Sequence, residues 1–231
     1  MPEVVDVAQE ARAAREAIVA LVTVITQFEM APPNDRNVTA TKLARASMDY
    51  GIALCLLGEE AHEDLGAPLI SLHRMQMEHV VRGAFFCGPA SDKDLTYFLK
   101  HDELPKINDG KRVRKMTMVE LAARVDPLFD PESDGKLIRV VKSHYGLISG
   151  VVHGGRTLLG LYGGGNRPVG FDVDDGALVQ IIDHSVAFAN LAAIVVAKCA
   201  VDSPERFSEL MMPTYEAAKA YVAKRQARSI E

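Results

Sequence analysis

Cysteine is scarce in this chain, and what there is does not pair. The three residues, Cys55, Cys87 and Cys199, are odd in number and far apart, and no CxxC occurs. That spacing argues against a structural zinc site and against a disulfide framework. Each cysteine lies in an apolar run (IALCLL, AFFCG, VAKCA), so buried free thiols and a cytoplasmic location are expected. Also missing are a Walker loop, an HExxH and a GxSxG. No metal site and no cofactor are therefore expected. GLYGGGN is rich in glycine but has no following lysine or dinucleotide-fold context, so it is a weak phosphate-loop candidate and reads more readily as a turn.

Excess charge of one sign is missing too. Arg and Lys number 26 against 31 Asp and Glu, a formal net charge of −5. The whole molecule has no electrostatic reason to bind nucleic acid or an anionic membrane, so any such site has to be local. The N-terminus mixes both signs, unlike a signal peptide. The apolar run AIVALVTVI is too short to span a bilayer. The longer run ALVQIIDHSVAFANLAAIVVAKCAV is interrupted by Asp183, His184 and Lys198, and reads as a helix buried inside a bundle. No membrane association is expected.

What is present is helical periodicity over most of the 231 residues, 48% of them hydrophobic. Helices are expected over residues 3–29, 38–57, 68–86, from Ser91 to about residue 100, from Thr117, over 136–153, over 175–201 and from Pro204 to near the C-terminus. Arg15 is the one polar break in the first apolar stripe. Thr39 or Thr41 is expected to cap the second helix, and Gly58 to end it. GEEAHEDLG then reads as a solvated acidic connector, DPLFDPESDG as a turn-rich break, and Pro213 as a kink in the last helix. Residues 156–172 are the one region without helical character, and a small β-hairpin or loop insert is expected there. The expectation is one all-α domain over residues 1–231, a multi-helix bundle.

Two polar rows stand out against this apolar background. Arg74, Glu78 and Arg82 recur at i, i+4, i+8 in LISLHRMQMEHVVRGAFF, and so share one helix face. A row of that kind in an apolar helix needs counter-charges or an anion. Tyr145, Ser149 and His153 share a face in SHYGLISGVVHGGR in the same way, with His144 beside Tyr145. His153 falls at the end of its helix, and Gly154 or Gly155 supplies the left-handed residue that stops it. A third feature, KINDGKRVRK, carries Lys106, Lys111, Arg112, Arg114 and Lys115 against one acid, Asp109. It can grip phosphate locally, or simply be a solvated loop.

The pairing of SLHRMQMEHVVRGAFF with a later YGLISGVVHGGR resembles a group of bacterial all-helical proteins that in turn resemble the broad HEPN-like class. The resemblance covers about residues 65–190. It implies a helical bundle, commonly dimeric, serving in defence or toxin–antitoxin systems. It also implies metal-independent RNA cleavage through an Arg-x4–6-His motif, in which histidine moves the proton of the 2′-hydroxyl and arginine stabilises the phosphorane. Two Arg-x4-His matches occur, Arg74 to His79 and Arg139 to His144. They depart from the family pattern in having Met75 and Val140, not a polar residue, directly after the arginine.

These readings put the candidate catalytic groups at Arg74, His79, His144 and His153. The candidate binding groups are Glu78, Arg82, Tyr145, Ser149, Lys111, Arg112 and Arg114. RNA or a nucleotide is the expected ligand and a homodimer the expected assembly. The alternative is a non-catalytic interaction or regulatory module, in which the same residues form a structural polar network.

Overall fold

The computed structural model describes residues 6–30, 32–108, 110, 112–129, 134–162, 173–200 and 204–228. Among the described residues are nine helices: α1 (Val7–Ile25), α2 (Asp35–Ala61), α3 (Gly66–Cys87), α4 (Asp92–His101), α5 (Met118–Phe129), α6 (Lys136–Val152), α7 (Arg156–Leu161), α8 (Asp175–Ala200) and α9 (Pro204–Arg228). The fold is an all-α bundle with one small antiparallel hairpin, β1 (Lys106–Asn108) paired with β2 (Val113–Lys115).

That hairpin lies in the basic connector. The Asn108 side chain accepts the Gly110 N–H at 3.0 Å, and Gly110 has φ +81°, a conformation glycine adopts without strain. Of the segment where an insert was expected, residues 156–161 are helix α7, and residues 163–172 lie outside the described residues.

Several helix ends form as local sequence dictates. Ser91 and Asp94 make a reciprocal capping box on α4, and Thr117 and Glu120 make another on α5. Others do not. Helix α2 begins at Asp35, where Asn34 accepts the Asn37 N–H at 2.8 Å, so neither Thr39 nor Thr41 is its cap. Gly58 does not end α2, which runs on to Ala61. A Cβ at Gly58 would stand 3.0 Å from the Ala11 Cβ, so this glycine lets α1 approach α2 closely. One turn on, Glu59 is no solvated connector residue. It takes Arg12 at 2.7 Å and Arg15 at 2.9 Å, which explains the polar break in the α1 stripe.

Helix α5 continues through Asp126 and Pro127 into the stretch expected to be a break. The buried Asp126 carboxylate accepts the Leu137 N–H at 3.0 Å. It thus caps α6 from a neighbouring helix, because the α6 N-cap residue, Gly135, has no side chain to do so. Pro213 lies inside α9, which continues on both sides of it.

The centre of the bundle is α1, α2, α3 and α8, packed against one another. Helix α9 covers α1 and α8, α5 and α6 dock on α3, and α7 rests on α6. One apolar cluster runs from Val7 in α1 to Tyr221 in α9. Helix α8 is long and apolar enough to cross a membrane, but most of it is buried inside the bundle. Its interrupting charges have partners. The Tyr221 hydroxyl donates to Asp183 at 2.6 Å, and the Lys198 ammonium lies 4.9 Å from the Phe207 ring centroid.

Candidate functional site

Helix α3 is buried along most of its length, including at Arg74 and Glu78. Because α6 docks on it, the two polar rows meet. The Arg74 Nε donates to Glu78 Oε1 at 2.7 Å, the expected contact between residues one turn apart. The rest of the guanidinium reaches across to α6. One terminal nitrogen donates to Ser149 Oγ at 3.2 Å and lies 3.2 Å from His153 Nε2. The other donates to the Tyr145 hydroxyl at 3.0 Å. Three α6 residues on successive turns therefore surround one arginine.

Glu78 is the hub on the anionic side. Its Oε1 accepts from Arg74 and, at 3.1 Å, from the Tyr145 hydroxyl, while its Oε2 accepts from Arg82 at 2.8 Å. Burial works against the Arg74 charge, but the Glu78 carboxylate and the Tyr145 hydroxyl outweigh it and raise the guanidinium pKa. Burial and Glu78 together push the Tyr145 phenol up. The cluster holds two guanidinium groups against one carboxylate, a surplus of one positive charge. The Arg82 Nε is buried with no hydrogen-bond partner.

Exposure grades through the site. Arg74 is 8% exposed and Glu78 7%, Tyr145 and Ser149 are half-buried, and His153 is exposed. The backbone holds His153 in place. It is the C-cap of α6, the Gly155 N–H donates to Gly150 O at 2.7 Å, and the Gly154 N–H donates to Val151 O at 3.2 Å. This is the Schellman arrangement, and Gly154 takes its left-handed position with φ +68°. An arginine N–H can only donate, so the Nε2 facing it is an acceptor. His153 in this contact is then the neutral imidazole with its proton on Nδ1.

The other predicted residues go elsewhere. His79 contacts its own helix, Nδ1 to Met75 O at 2.6 Å, and packs on Tyr50 of α2 with ring centroids 5.0 Å apart. Arg139 pairs with Asp134 at 2.9 Å, while His144 turns toward α8. Neither Arg-x4-His pair is thus assembled within the chain. In the basic connector, Arg114 makes two bonds to Glu120, at 2.8 and 2.6 Å, and Lys115 pairs with Glu103 at 2.8 Å. Arg112 is exposed there, and Lys111 lies outside the described residues. Two of the patch's cations, Arg114 and Lys115, are thus paired with carboxylates that flank it in sequence, Glu120 and Glu103.

A second polar group was not foreseen. His73, His144 and His184 come from α3, α6 and α8, and their ring centroids lie 4.8 to 6.3 Å apart. His73 is fully buried with neither ring nitrogen partnered, and His184 Nδ1 is also buried without a partner. Burial, reinforced by the other two histidines, pulls the His73 pKa down to about 3. Burial alone lowers His144; burial first and then His144 lower His184. Among the described residues, no group of three or more His, Cys, Asp or Glu side chains is placed to hold a metal ion. His184 also lines a mostly apolar cavity of about 300 Å³ between α5, α6 and α8, with Leu137, Val140, Phe188 and Leu191. No predicted site residue reaches that cavity. A sequence signal for this cluster did exist, since His73 directly precedes Arg74 and His144 directly precedes Tyr145.

No protein-family model, no curated protein and no solved structure matches the chain, so the geometry of α3 against α6 is what any functional reading rests on.

Proposed function

We propose that the α3–α6 surface around Arg74, Arg82, Ser149 and His153 takes the phosphate of RNA or of a nucleotide, and that the chain is a HEPN-like homodimeric protein of the defence or toxin–antitoxin kind. The observation that carries this reading is the Arg74–His153 contact. A buried, permanently charged guanidinium steadies an exposed neutral imidazole at 3.2 Å. The surplus positive charge is what a phosphate would neutralise, and Arg82 still has a buried donor to offer.

The chemistry follows from these groups. Incoming phosphate displaces the Arg74–His153 contact and frees Nε2. His153 then accepts the proton of a ribose 2′-hydroxyl, that oxygen bonds to the adjacent phosphorus, and the P–O bond to the 5′-oxygen breaks, the leaving oxygen taking its proton from the imidazolium or from water. Guanidinium charge stabilises the phosphorane. Each step uses side chains of the chain itself.

The test is incubation of the purified protein with labelled RNA in EDTA. Cleavage is expected, and it should fall by about 100-fold or more in His153→Ala, the size of a lost general base. His79→Ala and His144→Ala should keep most of it. Wild-type protein that neither cleaves nor binds RNA or nucleotide sinks the proposal.

One observation favours the second reading, a non-catalytic interaction or regulatory module. Nε and both terminal nitrogens of Arg74 already have partners within the chain, so Arg74 itself is satisfied without a ligand. On that reading Glu78 and Tyr145 matter for stability alone, and His153→Ala has no phenotype in any RNA assay.

A further inference from the structure

Cys87 is the last residue of α3, and Cys199 sits one residue before the end of α8. They are 112 positions apart in sequence, yet their sulfurs stand 3.8 Å apart. The Cys199 thiol donates to the Cys87 sulfur, and the Cys87 thiol points to Val195 O at 4.0 Å. A disulfide needs the sulfurs at about 2.05 Å, so a gap of 3.8 Å has to close by about 1.8 Å. Both residues lie in the last turn of their helix, where the backbone has the fewest helical bonds to lose.

The two thiols are not equivalent. Cys87 is half-buried and within reach of a small oxidant, whereas Cys199 is 2% exposed. Contact with the Cys87 sulfur, helped by the Thr41 hydroxyl, holds the Cys199 thiol below the ordinary range. That hydroxyl is buried with no other partner. The Cys199 contact and burial push Cys87 the other way. The more accessible Cys87 sulfur thus faces the buried Cys199 sulfur at 3.8 Å, so a small oxidant meets Cys87 first and Cys199 stands in contact to resolve it.

We propose that Cys87 and Cys199 are an oxidative cross-linking site, converted by hydrogen peroxide into a disulfide that ties the end of α3 to the end of α8. The Cys87 sulfur attacks one peroxide oxygen, and the O–O bond breaks. The product is a sulfenic acid, and the departing hydroxide takes the thiol proton to become water. The Cys199 sulfur then attacks the Cys87 sulfur, the S–S bond forms and the S–O bond breaks. Hydroxide leaves with the second thiol proton, again as water. Two thiols and one peroxide give one disulfide and two waters, the sulfurs losing two electrons that the peroxide gains. Cys55 is an internal control, because it is fully buried, has no cysteine neighbour, and burial pushes its thiol up to about 12.

The experiment treats the full chain with hydrogen peroxide, then counts thiols after denaturation and maps the peptides by mass. Three free thiols should fall to one, the intact mass should drop by two hydrogens, and one linked peptide pair should contain Cys87 and Cys199. A dithiol reductant should restore all three thiols. Cys87→Ser should abolish the mass loss, and the wild-type measurement stands even where that variant folds poorly. Three thiols remaining, oxygen adducts on Cys87 without a link, or a link involving Cys55 or a second chain would each overturn the proposal.

Discussion

Two polar clusters share the seam between α3 and α6, and they solve burial in opposite ways. Around Arg74 and Glu78 every charge has a counter-charge or a hydrogen bond, and the guanidinium stays charged at 8% exposure. One residue earlier on each helix, His73 and His144 face α8 and each other, and the buried nitrogens of His73 have no partner. Burial therefore strips the histidines of charge. Depth alone does not decide the protonation state of a buried group. What decides it is whether the surrounding helices supply partners.

The contrast can be broken most sharply at Glu78. Glu78→Ala leaves Arg74 buried without its carboxylate and takes two acceptors from Arg82 and Tyr145. Loss of one partner of a buried pair should cost about 3–5 kcal/mol, read as the unfolding free energy in urea. A loss below about 1 kcal/mol, the value of an exposed pair, would mean that the network is solvated after all.

The histidine side predicts a pH dependence. The folded-state pKa of His73 is about 3, below the value near 6.5 of an unfolded histidine. Between those values the unfolded chain binds the extra proton. Stability from this group is therefore full above about pH 6.5 and declines as the pH falls toward 3, by at most about 1.4 kcal/mol per pH unit. Lowered pKa values of His144 and His184 act in the same direction. Urea midpoints measured from pH 7 down to 4 should show this slope, and His73→Leu should flatten it. An unchanged slope in that variant would assign the effect to carboxylates.

Smaller effects sharpen the comparison. Tyr145→Phe removes one hydroxyl that accepts from Arg74 and donates to Glu78, and should cost about 1–2 kcal/mol. His153→Ala comes last. The residue is exposed, so stability should change by about 0.5 kcal/mol or less while any RNA activity is lost. A large stability loss in that variant would make His153 part of the structural network.

Much of this site was legible in the chain. The rows Arg74–Glu78–Arg82 and Tyr145–Ser149–His153 follow from helical spacing, and the stop after His153 follows from two glycines. His73 and His144 carried a signal in their places beside Arg74 and Tyr145, but the third member was hidden, because no spacing links either of them to His184 on another helix. Glu59 was misread for a related reason. In sequence it sits among Glu60, His62, Glu63 and Asp64, and only the packing of α1 against α2 brings Arg12 and Arg15 to it.

What the sequence determined by itself is local: which segments are helical, how Ser91 and Thr117 start theirs, and which side chains share a face. These depend on hydrogen bonds and sterics within a few residues along the chain. Tertiary structure decided which rows meet, which cysteines touch and which histidines lose their charge. Those outcomes depend on through-space distance and on the loss of water, and neither is written in spacing along one helix.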